Sequence, residues 1–264
     1  MVRLNPRRVD YMNCNTPILY DREIDEYAHA VIADYKPHLL DEPDSICFQH
    51  FLEAYLGLSI EYHDIYNDDP DRPILAMTTF GDGNVKVFDK DNECVSRIYV
   101  QEGTVIIDNA VMKPGREGLA LFSGLHEGGH YMMHRDVYSR MIEQAAETGD
   151  DISPVVYCRR ENIESSPRAK MGREKRSAEQ WREHHADYFA AAIAMPTVTF
   201  KPFVHSILRE NGHYKGSIAL GRDHDLDILA DCIIPDAISE VYGVSRRAAK
   251  IKLRKMGFVH NGIK

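Results

Sequence analysis

His126-Glu127-Gly128-Gly129-His130, entered through Leu119-Ala120-Leu121-Phe122 and Leu125, decides how the rest of the chain is read. On a helix, residues four apart stand one turn above each other, so His126 and His130 project from one face and two imidazoles can hold one divalent cation. Glu127 is turned about 100° from His126. That sets a carboxylate beside the cation, where it can take a proton from a water. With 13 histidines in 264 residues the spacing alone is weak, and the surroundings carry the reading. Leu121, Leu125, Gly128 and Met132 fall on the stripe opposite the histidines, as in a helix with a packed back. A mid-helix glycine costs about 1 kcal/mol relative to alanine, so the Gly128-Gly129 pair predicts close approach of a neighbouring element. The plain alternative is a buried amphipathic helix with incidental histidines.

A catalytic zinc site takes three protein ligands and keeps one position for water. The chain must then supply one more carboxylate, histidine or thiolate. Glu183 is the best candidate, in the helix-forming run Trp181 to Ala194 that Pro196 stops. Glu183, Asp187, Ala190 and Ala194 share one face of that run, with small residues where the first helix has to come near. Asp187, one turn beyond Glu183, can accept the free ring N–H of a ligating histidine. His134 extends the histidine stripe by a turn, but lies about 5.4 Å of rise beyond a cation held at i and i+4. It is expected to support a ligand or face a substrate, or else to be a plain surface histidine.

These two segments resemble the ImmA/IrrE metallopeptidases of bacteria and their mobile elements. In that family an HExxH helix, commonly continuing to a further histidine, is followed by a helix of the form ExxA(N/D)xFAxxxxMP. The matching residues are His126, Glu127, His130 and His134, then Glu183, Ala186, Asp187, Phe189, Ala190, Met195 and Pro196. The resemblance extends over residues 45–260, through Gly103 to Asp108 and Val244-Ser245. It implies a zincin-like metallopeptidase of the α+β class, with a small, mostly antiparallel sheet, an active-site helix and a C-terminal helical, helix-turn-helix-like segment. It further implies Zn2+ on His126, His130 and Glu183, and Glu127 as general base. The activity implied is that of a zinc-dependent endopeptidase cleaving one protein substrate, a DNA-binding helix-turn-helix repressor of a mobile element or stress pathway. It also nominates residues 104–108 as the sheet edge beside the cleft, where an extended substrate would add as a strand. The stretch between His130 and Glu183 is long for the family. Residues 149–176, with Pro154, Arg159, Arg160 and Pro167, read as a loop, either a lid, a binding loop or a surface insertion without a role. Cys158 in that loop raises the idea of a thiolate reaching the metal, against the default of a free thiol.

The remaining chain divides into an irregular lead-in (1–20), a metallopeptidase domain (21–210) and a C-terminal helical segment (211–264). Asp21 to Asp34 has helical periodicity ended by Pro37, and Ser45 to Leu56 forms a second helix ended by Gly57. Beyond Leu58 the period becomes that of strands. Ile74 to Thr79 and Val85 to Phe88 flank Gly81-Asp82-Gly83-Asn84, a hairpin signal, and Val95 to Val100 turns at Gln101-Glu102-Gly103 into Thr104 to Asp108. Near the C-terminus, residues 245–264 carry +7, so with a total of −9 residues 1–244 carry −16. Pro235 to Met256 has a helix-turn-helix pattern. An acidic body opposes phosphate contact, so direct nucleic-acid binding is not expected, and packing through Ala249, Leu253 and Met256 is the favoured reading. Five scattered cysteines without a CxxC argue against structural disulfides and for a reducing cytoplasm. No apolar run is long enough to span a membrane. The rival from another class is a non-catalytic metal-binding regulator acting by partner or DNA binding, and a third reading is an immunity component acting by sequestration.

Overall fold

The computed structural model describes residues 2–69, 71, 73–148, 155–159 and 176–262, with the backbone alone at 156–159. Most of the expected 149–176 loop, including Pro154, Arg160 and Pro167, lies outside the described residues. The described part contains a strand that the sequence reading did not anticipate, Val155–Arg159.

The lead-in is more ordered than its composition predicts. β1 (Val9–Asp10) and β2 (Thr16–Pro17) pair antiparallel around a turn in which Cys14 and Asn15 take left-handed backbone, at φ 51 and 57. Strands of two residues leave no period to read. Their position is fixed from far along the chain, by Arg182 Nη1 donating to Thr16 Oγ1 at 3.3 Å and Arg140 Nη1 to the Cys14 carbonyl at 3.3 Å. α1 (Asp21–Tyr35) follows and buries Ile24, Ala28, Val31 and Ile32. α2 (Phe48–His50) runs on through a π-turn (Phe51–Tyr55) that drives Phe51 and Leu52 into the core.

The main sheet is mixed, in the order β3 (Ser59–His63), β7 (Thr104–Asp108), β4 (Ile74–Thr79), β8 (Val155–Arg159). β3 runs parallel to β7, and both remaining pairs are antiparallel. β7 is therefore an interior strand with partners on both sides and not the free edge nominated from the sequence. Nor do β4 and β5 (Gly83–Asp89) form a hairpin. The Gly81–Asn84 turn carries the chain out of the main sheet, and β5 pairs instead with β6 (Cys94–Val100) in a separate ribbon. Burial explains the difference: all six residues of β4 are buried, as in a strand covered on both faces, whereas β5 alternates. The ribbon packs Val85, Val87 and Val100 against Met77, Ile106 and Val155 on one face of the sheet.

The other face lies on α3 (Glu117–Thr148), which is crossed by α4 (Ala178–Ala194). Ser177 caps α4, accepting from Gln180 N at 3.2 Å while Gln180 Oε1 accepts from Ser177 N at 3.0 Å. Pro196 stops α4 and opens α5 (Thr197–Glu210). The C-terminal segment adds β9 (Ile218–Leu220), α6 (His224–Ile228), a π-turn (Leu229–Ile233), α7 (Ile234–Tyr242), α8 (Arg246–Lys255) and β10 (Val259–Asn261), with β9 and β10 parallel. Gly243 at φ 67 closes α7, and Ser245 Oγ caps α8 by accepting from Ala248 N. Ala249 and Leu253 are fully buried in the same core as α3 and α4, with Met256 packed partly against it. Arg246, Arg247, Arg254 and Lys255 remain exposed, and Arg246 pairs with Asp236. The chain is thus a mixed α/β structure compatible with the α+β class. Among the described residues no single helix is long and apolar enough to cross a membrane.

Candidate metal centre

The glycine pair lets two elements reach α3 from different sides. A Cβ on Gly129 would stand 3.1 Å from Phe189 Cδ1 and 3.2 Å from Ala186 Cα, so α4 lies directly on this point. A Cβ on Gly128 would meet the side chains of Leu52 and Phe51 on the opposite side. Close approach at Gly129 brings Glu183 over the histidine face. His126 Nε2 and His130 Nε2 are 3.0 Å apart, and the Glu183 carboxylate lies 3.7 Å from the former and 3.4 Å from the latter. Ligands about 2.05 Å from a tetrahedral zinc are separated by about 3.3 Å. The three donors, within 4.8 Å of one another, therefore fit one cation whose identity the geometry leaves open.

No family model and no curated protein matches the chain. The resemblance to the ImmA/IrrE metallopeptidases rests on the two motifs, and the chemistry is read from this chain's own geometry.

His126 Nδ1 lies 3.0 Å from Asp187 Oδ1, so the carboxylate one turn beyond Glu183 sits on the back of the first histidine. Burial pushes His126 down, but the hydrogen bond and charge of Asp187, with the charges of Glu183 and Glu127, outweigh it and raise its pKa to about 9. His130 moves the other way: burial dominates and lowers it, although Glu183 pulls upward. Glu127 is turned to the sheet side. Its Oε2 accepts from the Thr78 hydroxyl on β4, and both residues are fully buried.

His134 is not a surface residue. It is buried, with Nδ1 3.2 Å from His130 Nδ1 and Nε2 3.1 Å from His185 Nδ1. His185 Nε2 in turn accepts from the Leu19 amide at 3.2 Å. Burial, joined by neighbouring positive groups, holds His134 and His185 well below the ordinary histidine value. Tyr138 closes this side, stacked on Phe80 at 4.5 Å and accepting from Arg182 Nε at 3.1 Å.

Sequence reasoning missed Thr78, Tyr138 and Arg182, and it directed His185 away from the Glu183 face, whereas His185 is buried between His134 and the Leu19 amide. His185 had one available signal, an imidazole two residues from Glu183 on the same predicted helix, but its inward direction depends on how α4 is rotated against α3. Cys158 pairs through its backbone with Ala76 in β8. Cys14, Cys47, Cys94 and Cys232 are free thiols.

Proposed function

We propose that this protein is a zinc-dependent endopeptidase of zincin-like build, related to the ImmA/IrrE metallopeptidases. The observation that carries the reading is the convergence of His126, His130 and Glu183 on one point, with the Glu127 carboxylate alongside and fixed by Thr78. Zinc bound there would polarise a scissile carbonyl and make water acidic enough to act as nucleophile near neutral pH. Glu127 would take a proton from the attacking water at its carboxylate and pass it to the leaving amine. The Thr78 hydroxyl holds the carboxylate in place, and Asp187 fixes the ring of His126. The substrate class is a DNA-binding helix-turn-helix repressor. Support comes from the resemblance and from the −16 charge of residues 1–244, which complements a basic partner. The free thiols suit a reducing cytoplasm.

Glu127→Gln tests the reading. Its metal content, measured by elemental mass spectrometry, stays at that of the wild type, while cleavage of candidate repressors falls by about 10²- to 10⁴-fold. Undiminished cleavage by that variant would sink the peptidase assignment.

A second reading, a non-catalytic metal-binding regulator, draws on the complete burial of His126, Glu127 and His130. Under it, Glu127→Gln keeps both its metal and its biological effect.

A further inference from the structure

Three buried imidazoles connect the candidate metal centre to the N-terminal segment, in the sequence His130, His134, His185 and the amide of Leu19. A neutral imidazole carries one proton and offers one bare nitrogen, whereas a backbone N–H only donates. His185 Nε2 accepts from Leu19 and is therefore bare, which puts the His185 proton on Nδ1, facing His134 Nε2. By the same step the His134 proton sits on Nδ1 and is donated to His130 Nδ1. His130 is left with its proton on Nε2, where the Glu183 carboxylate oxygen 3.4 Å away is the acceptor. One amide thus sets the direction of three rings.

We infer that ligation of a cation by His130 Nε2 reverses this chain of rings and breaks the hydrogen bond between His185 and Leu19. The inference rests on the metal centre proposed above. Before ligation the three protons are on His130 Nε2, His134 Nδ1 and His185 Nδ1. Afterwards they are on His130 Nδ1, His134 Nε2 and His185 Nε2, so the number is unchanged and no ring alters its charge. The proton leaving His130 Nε2 goes to solvent, and one from solvent is taken up at His185 Nε2. The conflict is one of counting. Two ring-to-ring contacts hold two protons, and with a cation at one end and an N–H at the other, the third proton has to face another donor.

Leu19 is where the chain yields. His134 and His185 stand on α3 and α4, whose crossing is packed through Gly129, while Leu19 lies in the link between two-residue β2 and α1. The N-terminal segment therefore registers whether the centre is filled. His134 and His185 are positioning residues for His130, and the N-terminal hairpin is coupled to the same contact through Thr16 and Arg182.

The test uses the full-length protein with nitrogen-15-labelled histidine, first stripped by a chelator and then carrying one equivalent of zinc. Long-range proton–nitrogen correlation spectra report which ring nitrogen is protonated. The expected result is Nδ1–H on His134 and His185 without zinc and Nε2–H on both with it. Exchange of the Leu19 amide with solvent deuterium should speed by about tenfold on loading, the effect of losing one hydrogen bond, while the amides of β7 stay unchanged. In a His185→Phe variant the Leu19 exchange rate no longer responds to zinc. Unchanged ring tautomers in protein shown to contain zinc would overturn the inference and leave the metal centre standing. Failure to take up zinc at all would overturn both.

Discussion

His126 and His130 stand one turn apart on the same helix, equally buried, and their surroundings are opposite. His126 is backed by the Asp187 carboxylate and is held protonated to about pH 9, whereas His130 is backed by a neutral imidazole and pushed down. Both supports depend on α4, which presents Asp187 to one ring and, through His134, His185 to the other. Asp187 on the crossing helix raises His126, whereas His130 has no such carboxylate on its back and is lowered by burial and by the charge of His126, although Glu183 pulls it upward. Burial is common to both and cannot account for the difference.

The largest effect should come from Glu183, which faces both rings. Glu183→Ala removes one of the three candidate ligands, and zinc content is expected to fall from about one per chain to nearly none. Retention of zinc by that variant would move the third ligand elsewhere and dissolve the comparison.

pH sharpens the contrast next, because the two halves of the cluster titrate with opposite sign. In metal-free protein the folded-state pKa of His126 is about 9, against 6.5 when unfolded. Its contribution is complete below pH 6.5 and is lost as pH rises through 9, a difference on the order of 3 kcal/mol. His134 and His185 are held neutral in the fold and gain protons on unfolding below 6.5, so their contribution is complete above that value and is lost as pH falls below it. Denaturant unfolding of chelator-treated protein should show greatest stability near pH 6.5, and a flat profile would remove the distinction. A divalent cation bound through His126 would have to displace its proton, so the apparent affinity for zinc is expected to rise by about tenfold per pH unit up to 9.

The supports can then be removed one at a time. Asp187→Ala is expected to weaken zinc binding by about 10- to 100-fold, measured in competition with a chromophoric chelator. His134→Phe should weaken it by less than about tenfold, because the lost partner is neutral. Equal losses would mean that the carboxylate has no special part.

The smallest expected effect separates the two sides of α3. Gly129→Ala forces its new methyl against the α4 backbone at Ala186 and should destabilise by about 1–2 kcal/mol. Gly128→Ala meets the buried side chains of Leu52 at 3.0 Å and Phe51 at 3.2 Å but no backbone, and the gain in helix propensity of about 1 kcal/mol offsets much of that cost and leaves it nearer neutral. Thermal unfolding distinguishes them, and reversed signs would misplace the tight face.

The pairs His126/His130 and Glu183/Asp187 were legible because the helical period relates residues four apart without reference to anything else, whereas the meeting of the two pairs was expected from the need for a third ligand and from the resemblance. The same local period placed Gly128 on the packed back of α3. It did not reach Thr78, whose contact with Glu127 spans 49 residues of sequence, or the His185–Leu19 bond, which spans 166. Strand composition likewise located Ile74 to Thr79 and Thr104 to Asp108, but not their order. The apparent hairpin at Gly81–Asn84 and the supposed edge at β7 both failed because pairing is a long-range choice made by which faces can be buried. Val155-Val156-Tyr157 had strand composition, and Pro154 before it and Arg159-Arg160 after it hid it.

By itself the sequence determined the helix periods, the metal-ligand spacing and the charge division between body and C-terminus, all properties of neighbours along the chain. Only the tertiary structure decided which strand lies against Glu127, which way α4 is rotated, and that an N-terminal amide ends a chain of histidines. Those depend on contacts between residues far apart in sequence, where burial must satisfy every polar group at once.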